Sequence, residues 1–224
     1  MKRLLIILLF LPVFTEAQII TTFAGGGSGG LGDGGPATAS TINDPNGAAF
    51  DKQGNFYFVE NLGSRVRKVD ISGIITTVAV NGISGYNGDN IPATSAEFED
   101  PEAVAFDAQG NLYIADGGNR IRKINITTSI ITTIAGTGAT GYNGDNGLAT
   151  AAKIYQPSDI CFDKLGNLYI ADYANYRIRK VNTSGIISTY AGIGTSGVSG
   201  DGGPATAAQF ILVTGLAVDN SGNL

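Results

Sequence analysis

Phe162-Asp163-Lys164-Leu165-Gly166-Asn167-Leu168-Tyr169-Ile170-Ala171-Asp172, followed by Arg177-Ile178-Arg179-Lys180-Val181 and Ile186-Ile187-Ser188-Thr189, decides the fold, because the rest of the chain says the same words in the same order. Phe106 to Asp116 is a second copy and Phe50 to Glu60 a third. Asp33, Asp89, Asp145 and Asp201 stand at intervals of 56 residues, as do Gly54, Gly110, Gly166 and Gly222. Self-similarity at such a period means one supersecondary unit stacked several times. Within the unit, Asp163-Lys164-Leu165-Gly166 has Asp at the first and Gly at the fourth position of a type I turn, so the runs on either side form a hairpin. A third run begins at Arg65, Arg120 or Arg177, and a fourth, rich in β-branched residues, begins near Ile74, Ile130 or Ile186. Four short antiparallel strands make one blade. Runs such as Leu168-Tyr169-Ile170-Ala171 do not alternate apolar with polar, so both sheet faces are covered, as they are when blades stack around an axis.

The expected fold is therefore all-β: a β-propeller of four-stranded antiparallel blades, with three complete blades at about 46–79, 102–135 and 158–191. A lone strand at 19–24 and a partial blade at 214–224 flank them. Because a propeller closes by letting one terminal strand complete the other terminal blade, 19–24 reads as half of such a closure. The chain is expected to be a fragment of a longer reading frame; a four-bladed ring is the rival, in which the third strand of the last blade would still be missing.

Composition fits one folded, turn-rich domain: 43% of the 224 residues are apolar, 33 are Gly and 15% are charged. Residues 1–17 have the parts of a secretory signal, with Lys2 and Arg3, an apolar run from Leu4 to Phe14, and Thr15-Glu16-Ala17 for cleavage. That run falls short of the roughly twenty residues that span a bilayer. The mature chain is expected to be secreted, periplasmic or at the cell surface, with no membrane span. Cleavage after Ala17 moves the formal net charge from −5 to −6, which argues against nucleic acid as a partner. The single Cys161 occupies the slot of Ala49, Ala105 and Ala217, and reads as a small core residue rather than a reactive thiol.

Gly200-Asp201-Gly202-Gly203-Pro204-Ala205-Thr206-Ala207-Ala208, Gly166-Asn167-Leu168-Tyr169-Ile170-Ala171-Asp172 and Asn175-Tyr176-Arg177-Ile178-Arg179-Lys180-Val181 resemble the NHL repeat, most closely its secreted bacterial members. The resemblance covers nearly all of the mature chain. It implies a β-propeller, often six-bladed, that usually serves as a binding scaffold, although some related propellers are enzymes. The chain departs from the pattern in its number of repeats and in having no His.

Recurrence in every blade marks a residue as structural. Gly136 to Gly141 and Gly192 to Gly197 match G-x-G-x-x-G, but neither opens a helix in a parallel sheet, so they are loops rather than nucleotide sites. Asp33, Asp89, Asp145 and Asp201 are expected to brace the turn before a short helical segment. Arg67-Lys68, Arg122-Lys123 and Arg179-Lys180 are expected to pair with Glu60, Asp116 and Asp172, which end the second strands. Asn125 and Asn182 open two sequons at equivalent turns.

Function is sought where equivalent positions differ. First strands line the axis of a propeller, so Asn46, Glu102, Ser158 and Thr214 should ring the channel mouth, with Asp159 replacing a small residue beside them. Tyr173 and Tyr176 lie in a variable loop on the same face, and Tyr86 and Tyr142 lie further out. The leading expectation is a binding scaffold for a protein or glycan partner, because His, G-x-S-x-G and an activated Cys are all missing. No cofactor is required by this reading. The alternative is a calcium-dependent hydrolase or lyase with Asn46, Glu102 and Asp159 as oxygen ligands. A third reading, compatible with the first, is one module of a larger surface-attached protein.

Overall fold

The computed structural model describes residues 20–79 and 81–224; the signal-type segment 1–17 and Ile19 lie outside the described residues. Three antiparallel sheets follow one another along the chain. The first holds β1 (Pro45–Phe50), β2 (Phe56–Glu60), β3 (Arg65–Val69) and β4 (Ile75–Ala79). A two-residue strand, β5 (Ile91–Pro92), precedes the second: β6 (Pro101–Phe106), β7 (Leu112–Asp116), β8 (Arg120–Ile124) and β9 (Ile130–Ala135). The third holds β10 (Pro157–Phe162), β11 (Leu168–Asp172), β12 (Arg177–Val181) and β13 (Ile187–Ala191).

The Asp-x-x-Gly turns form as expected, and their side chains show why. Asp163 Oδ1 accepts from the backbone N–H groups of Leu165 and Asn167, while Oδ2 accepts from the Asn167 amide at 2.7 Å. Asp51 and Asp107 make the same three bonds. These bonds stabilise the ionised carboxyl enough to outweigh its desolvation, so all three aspartates titrate below the ordinary carboxylate range.

Blades stack through their first strands, with β6 between β1 and β10. Phe106 meets Tyr57 edge-on at 4.9 Å between ring centroids, and Phe162 meets Tyr113 at 4.8 Å. Phe50, the equivalent residue of the first blade, is 64% exposed. Val59, Ile114 and Ile170, central in their second strands, are fully buried because each sheet is covered on both faces.

Two expectations need correction. Residues 20–24 and 214–218 form no strand. A strand exists only with a ladder partner; 20–24 meets the first blade through Phe23, which packs on Phe56 at 5.4 Å. Asp33, Asp89 and Asp145 do not cap the 3-10 turns Ala37–Ala39, Ala93–Ser95 and Ala149–Ala151, which have no side-chain cap. They reach across to Arg67, Arg122 and Arg179 at 3.0, 3.1 and 2.6 Å. The segment before each blade reaches the outer edge of that blade's sheet, where Pro36 bridges Ile74, β5 pairs with β9, and Leu148 bridges Ile186. The free edge beside every fourth strand is thereby covered, by a two-residue pair in the second sheet and by a single bridge in the first and third.

Candidate binding site at the mouth of the blade stack

The chain enters each first strand through a residue of positive φ followed by Pro: Asp44 at 51°, Asp100 at 47° and Gln156 at 51°. Asn61 and Gly117, from the loops after β2 and β7, donate backbone N–H groups to the Asp44 and Asp100 carbonyls at 3.0 and 3.3 Å. A bulge then interrupts the ladder at 46–48, 101–103 and 157–159. A bulge re-aims the side chains around it, and here Asn46, Glu102 and Ser158 turn toward one face.

They line a cavity of about 540 Å³, with Thr214 beside them, Tyr173 from the loop after β11, and Glu99, Asp100 and Gln156 completing the wall. That volume is in the range of small-ligand sites. Glu102 is held between two amides, Asn46 Nδ2 at 2.5 Å and Asn61 Nδ2 at 3.0 Å. Burial, and then the nearby Asp100 charge, push its pKa above the ordinary glutamate value. No Lys or Arg lines the cavity among the described residues. Ser158 Oγ donates to the Val213 carbonyl at 2.6 Å, which ties the wall to the following segment.

Four of the eight expected binding residues therefore meet here: Asn46, Glu102, Ser158 and Tyr173. Asp159 does not join them. Its carboxylate accepts from the Ile160 and Leu216 backbone N–H groups at 2.8 and 2.6 Å, in the seam between β10 and segment 214–218. Strand alternation is the reason, since Ser158 faces the mouth and its neighbour faces the next blade. Desolvation raises the Asp159 pKa. Asn46, Glu102 and Asp159 thus do not converge as the calcium alternative requires, and no group of three His, Cys, Asp or Glu side chains suits a metal ion among the described residues.

Tyr86 and Tyr142 sit apart from the cavity, each under an arginine. The Arg120 and Arg177 guanidinium carbons lie 3.7 Å from the respective ring centroids. Tyr142 also donates its hydroxyl to Asp145 at 2.8 Å. Tyr176 takes a left-handed conformation, φ 53°, at the end of the 3-10 turn Tyr173–Asn175, and does not line the cavity.

Glu99, Asp100 and Gln156 were not anticipated. The available signal was the dipeptide of a polar residue and Pro at 44–45, 100–101 and 156–157, which recurs with a changing first residue.

The Teneurin NHL domain profile matches residues 24–86, and the NHL repeat profile matches residues 155–181. Mouse (Mus musculus) Teneurin-1 is 29% identical over 223 residues, an alignment covering 86% of this chain and 8% of that protein. Human (Homo sapiens) Teneurin-4 is 28% identical over 228 residues, covering 66% of this chain and 8% of its own length. The chain thus spans under a tenth of these relatives. An auxiliary nutrient binding protein from Bacteroides thetaiotaomicron superposes with a TM-score of 0.59 at 20% identity, over 79% of this chain and 43% of that one. A protein of unknown function from the same organism superposes with a TM-score of 0.58 at 22% identity, over 75% and 40%. At these identities the superpositions speak for fold alone. The chain carries NHL-repeat sequence in two separate stretches, on a β-propeller scaffold.

Proposed function

We propose that this protein is an exported propeller scaffold of the secreted bacterial NHL type, which binds a protein or glycan partner at the mouth of its blade stack. The observation that carries the reading is the cavity itself: about 540 Å³, built by three successive blades from positions that differ between repeats. Positions repeated in every blade hold the fold, and four of the variable ones, Asn46, Glu102, Ser158 and Tyr173, meet where the first strands open. Amides, hydroxyls and carboxylates beside the Tyr173 ring offer hydrogen-bond acceptors and donors next to an apolar face, the mixture that polar ligands require. The signal-type segment 1–17 supports export. The auxiliary nutrient binding protein shares the fold, which makes a ligand-binding role compatible with it. Catalysis through a calcium ion is not favoured, because Asp159 is committed to backbone N–H groups.

The test is an array of immobilised oligosaccharides, together with display of secreted proteins, probed with the folded chain and two variants. Tyr173→Ala and Ser158→Arg, which strip or fill the cavity, should each weaken a specific hit by about tenfold or more, the usual cost of losing a well-packed contact. Hits that survive both substitutions would place binding elsewhere and end this reading.

A further inference from the structure

Gly30, Tyr86, Tyr142 and Val198 stand at equivalent places one period apart, so an aromatic ring belongs only to the links before the second and third blades. Both rings are fixed by stacking on arginine. Arg120 and Arg122 lie 3.7 and 4.9 Å from the Tyr86 centroid, and Arg177 and Arg179 lie 3.7 and 4.7 Å from that of Tyr142. Arg120 is itself held, since its two terminal nitrogens donate to the Gly118 and Thr137 carbonyls at 3.0 and 3.1 Å.

The two copies differ in what the phenol does. In the third blade the set is closed on itself: Tyr142 donates to Asp145 Oδ2 at 2.8 Å, and the Thr189 hydroxyl lies 3.0 Å from the same phenolic oxygen. In the second blade Thr133 turns to the carboxylate instead. It donates to Asp89 Oδ1 at 2.9 Å, the oxygen that also accepts from Arg122 at 3.1 Å. Among the described residues, the Tyr86 hydroxyl and Asp89 Oδ2 have no hydrogen-bond partner, although the equivalent two atoms of the third blade bond each other. Tyr86 and Asp89 line a pocket of about 400 Å³, with Arg120 and Thr133 from the second blade and Thr137 and Thr150 from the link that follows. None of these residues lines the mouth cavity.

The lining defines what fits. It holds no aliphatic side chain, so the apolar residues of a peptide find no partner there. Two arginines, Arg120 and Arg122, stand against two acids, Asp89 and Asp116, so neither an anion nor a cation is favoured. What remains is one carboxylate oxygen that accepts, and Tyr and Thr hydroxyls that both donate and accept. Neighbouring hydroxyls of a sugar ring match this set: one donates to Asp89 Oδ2 while the next accepts from Tyr86, restoring through the ligand the bond that Tyr142 makes directly. Groups fixed in advance lower the ordering cost of binding. We propose that the pocket between Tyr86 and Thr150 is a second ligand site, separate from the mouth, that binds a neutral saccharide through adjacent hydroxyls held by Asp89 and Tyr86.

The test titrates the folded full chain with neutral mono- and disaccharides and follows backbone amide shifts by NMR. A binding saccharide should move the amides of Tyr86, Gly136 and Thr150. Shifts at Ser158 and Tyr173 report the mouth in the same spectra, so failure of either site is seen separately. Tyr86→Phe keeps the ring on Arg120 and removes only the hydroxyl; it should weaken the binding about three- to tenfold, the usual cost of one hydrogen bond. Tyr142→Phe should leave it unchanged, because that hydroxyl is already used within its own blade. The proposal is overturned if no saccharide moves the Tyr86, Gly136 and Thr150 amides, or if shifts fall at Ser158 and Tyr173 alone. It is equally overturned if Tyr86→Phe binds as tightly as the parent, or if serine- and threonine-rich peptides move these amides and sugars do not.

Discussion

Arg67, Arg122 and Arg179 are fully buried, and each is shared between an acid at the end of its own second strand and an aspartate from the link before the blade. The three sites differ in closeness. Glu60 lies 2.8 Å from Arg67, Asp172 lies 3.4 Å from Arg179, and Asp116 lies 3.8 Å from Arg122. Asn175 donates to both oxygens of Asp172, a partner that Asp116 lacks because its loop is one residue shorter. Desolvation accordingly dominates over the backbone bonds from Glu99 and Gly118 and over the Arg122 charge, and pushes the Asp116 pKa up to about 6 from 3.8. An acid whose pKa is higher in the folded state binds its proton more tightly there. Its protonation adds stability that is complete below about 3.8 and lost as pH rises through about 6. Urea denaturation should therefore show stability rising as pH falls from 7 to 4.5, with Asp116 contributing up to roughly 2 kcal/mol of that rise. Glu60, Glu102, Asp159 and Asp172 act in the same direction, whereas the turn aspartates lose their contribution only at lower pH. A slope that is the same in Asp116→Asn as in the parent would show that this carboxyl does not titrate in that window.

At the scale of elements, segment 214–218 shows how a chain is held beside a sheet without being a strand. Its equivalents β1, β6 and β10 are fixed by hairpin ladders to their second strands. Segment 214–218 has no such ladder and is pinned by side chains of β10, with Asp159 on the Leu216 N–H at 2.6 Å and Ser158 on the Val213 carbonyl. Gly47 and Ala103 occupy the Asp159 position where the neighbouring first strands already pack closely; a Cβ at Gly47 would fall 2.5 Å from the Ala103 Cα. Asp159→Ala should speed hydrogen exchange of the Leu216 amide by about tenfold or more, the scale of a lost bond to a charged acceptor, and leave the Tyr169 and Ile170 amides unchanged. Equal exchange at Leu216 in both proteins would mean that packing of Val213 and Leu216 alone holds the segment.

At the scale of the molecule, stability resides in the seams between blades. One cluster joins Tyr57 and Val59 of the first blade to Val104 and Ile114 of the second, and another joins Tyr113 and Ile121 to Ile160 and Ile170 of the third. In such stacks, stability is approximately a sum of unit and nearest-neighbour terms. Tyr113, 8% exposed and edge-on to Phe162 at 4.8 Å, sits in the second seam. Tyr113→Ala should cost about 3–5 kcal/mol, the range for truncating a buried aromatic. Native-state exchange should show the loss in β10 to β13 while β1 to β4 keep their protection. A uniform loss over all three blades would show instead that the stack unfolds as one cooperative unit.

The blades and their turns were legible in the residues because their causes are local: Asp163 bonds within its own turn, and the β-branched run from Ile186 pairs with its sequence neighbour. The variable positions Asn46, Glu102 and Ser158 could be placed at one mouth from the repeat period alone, since equivalent residues of stacked units share a face. Tertiary structure decided what depends on distant partners. Asp33 reads as a turn residue until Arg67 arrives from 34 positions away, and Tyr86 reads as an open aromatic until Arg120 covers it. Asp159 reads as a third ligand until the strand's alternation and a bulge turn it into the seam, toward Leu216. A repeated sequence states which residues are equivalent, but the direction of a side chain is set by the one-residue phase of its strand and by whatever the neighbouring blade presents to it.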